Sequence, residues 1–271
     1  MQTMTVALGR SAKSKLCTAI IAAFIVIGLP CVQFGIFHSF MYKLRKPEVD
    51  VDNCENFCWD TKFKGDYELM PSGYKHVYFN LTQQTCFIWT VTIIFSTLLY
   101  EACKYSLHLL LTRQIRFQMF ILFVSVIHSH YYTWWSLFNY FNDDFYDQLL
   151  HQAIFSTTEI LSTVCVFKMM HNNSKLDNIL LLIIFDVSIF HILSSSLDQF
   201  IVNVLLRRGY LFQTVRDLSF MIPDVLHAFI SFTFLRSNFR SSQNEIRALQ
   251  RSHIYFSIVA VLCLFVIVRT S

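Results

Sequence analysis

The residues of this chain best suited to chemistry sit where they are most costly to place. Glu159, Asp186, His191, Asp224 and His227 all lie inside long apolar runs. An ionisable group in hydrocarbon costs about 2.5–3.5 kcal/mol on insertion scales, so it turns toward a protein interior or a wet cavity and takes a partner there. Spacing sorts these residues into faces. His191, Ser194 or Ser195, and Asp198 recur at i, i+3 or i+4, and i+7, which is one face of a helix. Asp186 falls elsewhere on the same circumference. Asp224, His227 and Ser231 repeat the pattern on the next run, just after Pro223, whose missing N–H kinks a helix. An earlier run offers His151 near one end and Ser156, Thr157, Thr158 and Glu159 at mid-depth. Another offers His128 and His130, which point to different faces. The expectation is one ligand or proton cavity lined by His128, Glu159, Asp186, His191, Asp198, Asp224 and His227.

Imidazole and carboxylate together suit three tasks. They ligate zinc while leaving a position for water. They pass protons. They also pair with each other and hold helices in place. Distance separates these readings. Three ligand atoms about a point at roughly 2.0–2.2 Å indicate zinc, a wide wet cavity indicates transport, and isolated pairs indicate packing.

Two families of polytopic lipid enzymes provide comparisons. The alkaline ceramidases carry a terminal His-x-x-x-His pair; this chain has Asp224-x-x-His227 and no such pair. The segment His128-Ser129-His130-Tyr131-Tyr132-Thr133, running on to Asn139-Tyr140-Phe141-Asn142, is faintly similar to the opening of the TLC-domain motif. Its histidines are not adjacent, and His151-Gln152 stands where that motif has His-Asp. Neither comparison assigns a family, and no cofactor motif is complete.

The elements that position these residues follow from composition. Of 271 residues, 54% are hydrophobic and 15% charged, with 28 Phe, 6 Gly and 4 Pro. Soluble domains carry about 25% charged residues. A helical span needs about 20 apolar residues. The expected fold is therefore all-α: a single integral membrane domain over 1–271, a polytopic transmembrane helix bundle of about seven spans. The apolar runs cover Leu16–Met41, Thr85–Leu111, Phe117–Tyr140, Gln148–Met170, Ile179–Leu197, Leu218–Leu235 and Ile254–Val268. The fifth is expected to continue as helix through Asp198 toward Leu206. The first follows Arg10, Lys13 and Lys15, exceeds the length of a signal-peptide core and lacks an A-x-A site, so it reads as an uncleaved signal-anchor.

Lys and Arg in short loops set the orientation. Arg10, Lys13 and Lys15, then Arg113 and Arg116, then Arg236, Arg240, Arg247 and Arg251 share one side of a seven-span chain, which places the N-terminus in the cytoplasm. Asp143, Asp144 and Asp147 fall opposite, while Arg207, Arg208 and Arg216 run against the rule. The sizeable outer loop, 42–84, holds Cys54 and Cys58, a disulfide candidate, and Asn80 in Asn-Leu-Thr, a glycosylation candidate. Aromatics from Tyr131 to Tyr146 read as an interfacial belt, and Glu101 with Lys104 as a local ion pair.

The net charge of +4 is dispersed and forms no basic stripe, which excludes nucleic acid as a partner. The lipid bilayer is the expected surrounding, in the plasma membrane or an endomembrane. Three functions fit: binding or transport of a small ligand, lipid headgroup or proton, which leads; a membrane-embedded enzyme acting on a lipid; and a non-catalytic accessory, trafficking or receptor protein with a membrane-protein partner.

Overall fold

The computed structural model describes residues 15–29, 31–32, 83–142, 149–241 and 251–270. Cys54, Cys58, Asn80 and most of the expected outer loop lie outside them. The described residues form helices and no strand; one isolated bridge joins Ile115 and His171. The helices are α1 (Lys15–Leu29), α2 (Gln83–Leu111), α3 (Phe117–Asn142), α4 (Leu149–Met170), α5 (Asn178–Ser195), α6 (Leu211–Ser241) and α7 (Arg251–Thr270). A π-helical segment, Ser196–Leu205, continues α5. Among the described residues, four helical segments are long and apolar enough to cross a membrane: Cys86–Leu111, Leu149–Met170, Asn178–Ser195 and Gln213–Asn238. Lys15–Leu29 and His253–Arg269 are apolar but shorter.

The chain divides into two compact units. One comprises Met1–Arg113 with Trp134–Tyr146. In it, the Trp134 indole donates to Thr92 Oγ1 at 2.9 Å and stacks on Phe95, so this member of the aromatic run is engaged with α2. The expected Glu101–Lys104 ion pair is present on α2.

The other unit, Gln114–Thr133 with Asp147–Ser271, contains the polar residues of interest. Helix α5 packs against α4, α6 and α7. Its buried residues Leu181, Ile184, Ser188, His191 and Ser194 recur every three or four positions, forming one stripe. The stripe is apolar over its first turns and polar over its last. Met119, Leu122 and Val126 of α3 and Val166, Met169 and Met170 of α4 are buried as well. Asp177 caps α5 by accepting from the Ile179 amide at 2.8 Å.

Arg116 closes one end of this unit. Its guanidinium donates to the carbonyls of Met169, Asn172 and Ser174, and its amide donates to Met170 O at 2.7 Å. The start of α3 and the end of α4 are thereby fixed side by side. Elsewhere in the unit the π segment turns back onto α6. Asn203 Nδ2 donates to Asp217 Oδ2 at 2.8 Å, and Arg216 pairs with both Asp217 and Gln199. Gly209 is required there: a Cβ would lie 2.6 Å from Asn203 Cβ.

Candidate functional site

Three successive helices each contribute one ionisable side chain to a common point. Glu159 lies on α4, His191 on α5 and Asp224 on α6. His191 Nδ1 is 3.2 Å from Asp224 Oδ1 and 3.4 Å from Glu159 Oε2. The three side chains are 5% (His191), 10% (Glu159) and 13% (Asp224) exposed, so water screens them little. One ligand-capable atom from each lies within 4.8 Å of the others.

The proton positions follow from the neighbours. Thr158 Oγ1 donates back along α4 to Ile154 O at 2.8 Å and Phe155 O at 3.0 Å. With its hydrogen on those carbonyls, Thr158 Oγ1 is the acceptor for His191 Nε2, 2.8 Å away. His191 thus carries a hydrogen on Nε2. Its Nδ1 faces two carboxylate oxygens. If Nδ1 held no proton, three lone-pair atoms would confront one another in a buried site. At least one positive species, a proton or a metal ion, must lie among them.

Two more histidines border the cluster and are fixed in the same way. His130 Nε2 is 2.8 Å from Thr163 Oγ1, whose hydrogen goes to Glu159 O, so His130 is the donor. His227 Nε2 donates to Leu122 O at 3.1 Å, while its Nδ1 accepts from Ser162 Oγ at 3.3 Å. Both rings are within electrostatic reach of the Glu159 carboxylate. Phe155 covers the His191 ring at 4.7 Å and is itself stacked on His151. Ser194, one turn beyond His191, is buried, and its hydroxyl has no hydrogen-bond partner among the described residues.

Of the seven residues expected to line one cavity, three come together. Glu159, His191 and Asp224 converge. His227 is a neighbour that contacts Ser162 and Leu122, not Asp224, although the two share a helix face. Asp186 is engaged elsewhere: Ser257 of α7 donates to it at 2.6 Å. His128 lies near the Tyr132 ring, with centroids 6.2 Å apart. His130, two residues on, takes the place expected of His128. The backbone of Asp198 lies in the π segment, and its side chain is outside the described residues. Thr158, Ser162 and Phe155 were absent from the expected cavity. Their signal is present on α4, where 155, 158/159 and 162 recur with helical spacing.

Residues 15–271 match the profile of a family of unknown function (DUF8801). The chain belongs to that family. No curated protein and no solved structure matches it. The chemistry of the DUF8801 chain therefore has to be read from its own atoms, and the three-helix cluster is where those atoms converge.

Proposed function

We propose that this chain is a multi-pass membrane protein of the binding or transport type, whose Glu159–His191–Asp224 cluster takes up and releases protons within the bilayer. One observation carries this: Nδ1 of His191 faces two carboxylate oxygens at 3.2 and 3.4 Å, while its Nε2 is already committed as a donor. Such a set holds together only with bound positive charge, and the proton is the simplest species to supply it. Glu159 and Asp224 act as alternative acceptors, and Thr158 keeps the imidazole aimed at both. His130 and His227, with Thr163 and Ser162, extend the network on either side.

The finer topology belongs to the same proposal: seven spans, an N-terminus in the cytoplasm, and an integral position in a bilayer. Large apolar side chains exposed along the helices support it, including Ile93 and Leu98 of α2, Ile160 and Val164 of α4, Phe229 of α6 and Phe256 of α7. The Arg116 clamp supports the alternation, because it joins the α2–α3 connection to the α4–α5 connection at one end of a helix pair. A lipid headgroup or small polar ligand coupled to the proton would meet the protein where the cluster opens.

The test is a pH jump on a solid-supported membrane carrying the reconstituted protein. Proton binding inside the bilayer gives a transient current even without turnover. The parent protein and Asp186→Asn give this current, and Glu159→Gln and Asp224→Asn reduce it. A parent protein that behaves like a protein-free membrane defeats the proposal.

A further inference from the structure

The separations within the cluster have a second meaning. Zinc binds imidazole nitrogen at about 2.0–2.1 Å and carboxylate oxygen at about 2.0–2.2 Å; at the tetrahedral angle, two such ligand atoms stand about 3.3–3.5 Å apart. His191 Nδ1 stands 3.2 Å from Asp224 Oδ1 and 3.4 Å from Glu159 Oε2. The third edge, between one oxygen of each carboxylate, is no longer than 4.8 Å. The second shell is present as well. A metal-bound histidine nearly always donates its other N–H to an oxygen, which fixes its tautomer. His191 does this through Nε2 to Thr158 Oγ1 at 2.8 Å.

We propose that Glu159 Oε2, His191 Nδ1 and Asp224 Oδ1 form a three-ligand site for a divalent transition-metal ion, zinc by its chemistry, which replaces the protons the cluster otherwise holds. This rests on the cation-binding reading of the same site and names a second cation for it. The donor set selects the metal. One nitrogen and two oxygens suit zinc, whereas magnesium and calcium take oxygen alone, and copper(I) prefers thiolate. Three protein ligands leave a fourth position open. The Ser194 hydroxyl, one turn beyond His191 on the same helix face, is buried and unpartnered among the described residues.

Charge balance fixes the stoichiometry of the exchange. Two carboxylates and a neutral imidazole sum to −2. Either two protons or one divalent ion brings that sum to zero, the state a bilayer interior favours. Zinc entering a neutral cluster therefore expels two protons: one ion in, two protons out, with no bond redox and no further reactant.

The experiment uses the full chain in detergent with zinc alone as the probe. Zinc-edge X-ray absorption on the loaded parent protein is expected to show one imidazole and carboxylate oxygens at zinc–ligand distances, with no sulfur. A dye in weak buffer is expected to record proton release on binding. Thr158→Val is expected to weaken binding about 10–100-fold, the range for loss of a second-shell partner, with Thr158→Ser restoring it. Sulfur ligation, an all-oxygen shell, binding without proton release, or no bound zinc overturns the metal site. Because the absorption measurement uses the parent protein, it holds even if a variant fails to fold. No zinc together with a persisting pH-jump current leaves the proton reading standing; loss of both removes both.

Discussion

If His191 serves both acids, removing either acid should cost less than removing the histidine. In the one-proton state an imidazolium faces two carboxylates; the cluster reaches it above the pH at which its neutral form loses its second proton. The contacts at 3.2 Å to Asp224 and 3.4 Å to Glu159 are then each worth about 5 kcal/mol at an effective dielectric of about 20. The two carboxylate oxygens, no more than 4.8 Å apart, repel by about 3.5 kcal/mol on the same scale. Asp224→Asn loses one attraction and also one repulsion, so its net cost is about 2 kcal/mol. Glu159→Gln is expected to cost slightly less. His191→Gln loses both attractions and keeps the repulsion, about 10 kcal/mol on this scale, so even after relaxation it is expected to reach at least the roughly 3–5 kcal/mol measured for breaking a buried charge contact. Reversible unfolding or steric trapping of the purified chain, with the variants side by side, measures this order. If Asp224→Asn destabilises as much as His191→Gln while Glu159→Gln does nothing, the site is an isolated Asp–His pair, and the shared-histidine geometry is wrong.

Thr158→Val should leave the His191 Nε2 hydrogen buried without an acceptor, at a cost of about 1–3 kcal/mol, and Thr158→Ser should recover most of it in the same unfolding measurement. Arg116→Ala should free the 169–174 connection from three carbonyl contacts, seen as faster amide exchange there, with Arg116→Lys only a partial rescue because lysine lacks the planar fork. Gly209→Ala places a methyl 2.6 Å from Asn203 Cβ and should lower the melting temperature, since such overpacking costs about 1–3 kcal/mol. Tags at the two termini, tested for protease protection in sealed vesicles, should report opposite sides; the same side for both contradicts seven spans.

The helices were legible in the sequence because apolar runs of span length have few other solutions. The apolar run expected over Phe117–Tyr140 and the helix observed over Phe117–Asn142 nearly coincide. Membership of the cluster was harder to read. His128 and His130 are two residues apart, so they point to different faces, and only the rotation of α3 about its own axis decides which one meets α4. On that face of α3, Leu122 and Val126 are buried, a tertiary outcome that no local pattern around His128 and His130 announces. Asp198 was placed on the His191 face by counting seven residues along an α-helix. The helix changes to π at Ser196, where each residue turns through a smaller angle than that count assumes. Asp186 was assigned to the cavity from its depth alone; its partner, Ser257, comes from the last helix and leaves no trace near it in sequence. Thr158 was visible only as one polar residue in a run of four, yet its back-bonded hydroxyl fixes the tautomer of His191.

A site drawn from three successive helices also has a birth order. The ribosome makes Glu159 first, and His191, 33 residues after Thr158, one helix later. Asp224 follows after a further 33. In a chain threaded helix by helix into a membrane, α4 waits with an acid that has only His130 of α3 nearby and still lacks His191, and a charge left unpaired in hydrocarbon costs about 2.5–3.5 kcal/mol. The arrival of α5 supplies the imidazole, and α6 then delivers a second acid to a histidine already engaged. Assembly thus proceeds acid, base, acid, and the newborn protein carries its least comfortable residue in its first half-built state. Any factor that shelters nascent helices has its clearest task here between the synthesis of α4 and that of α5.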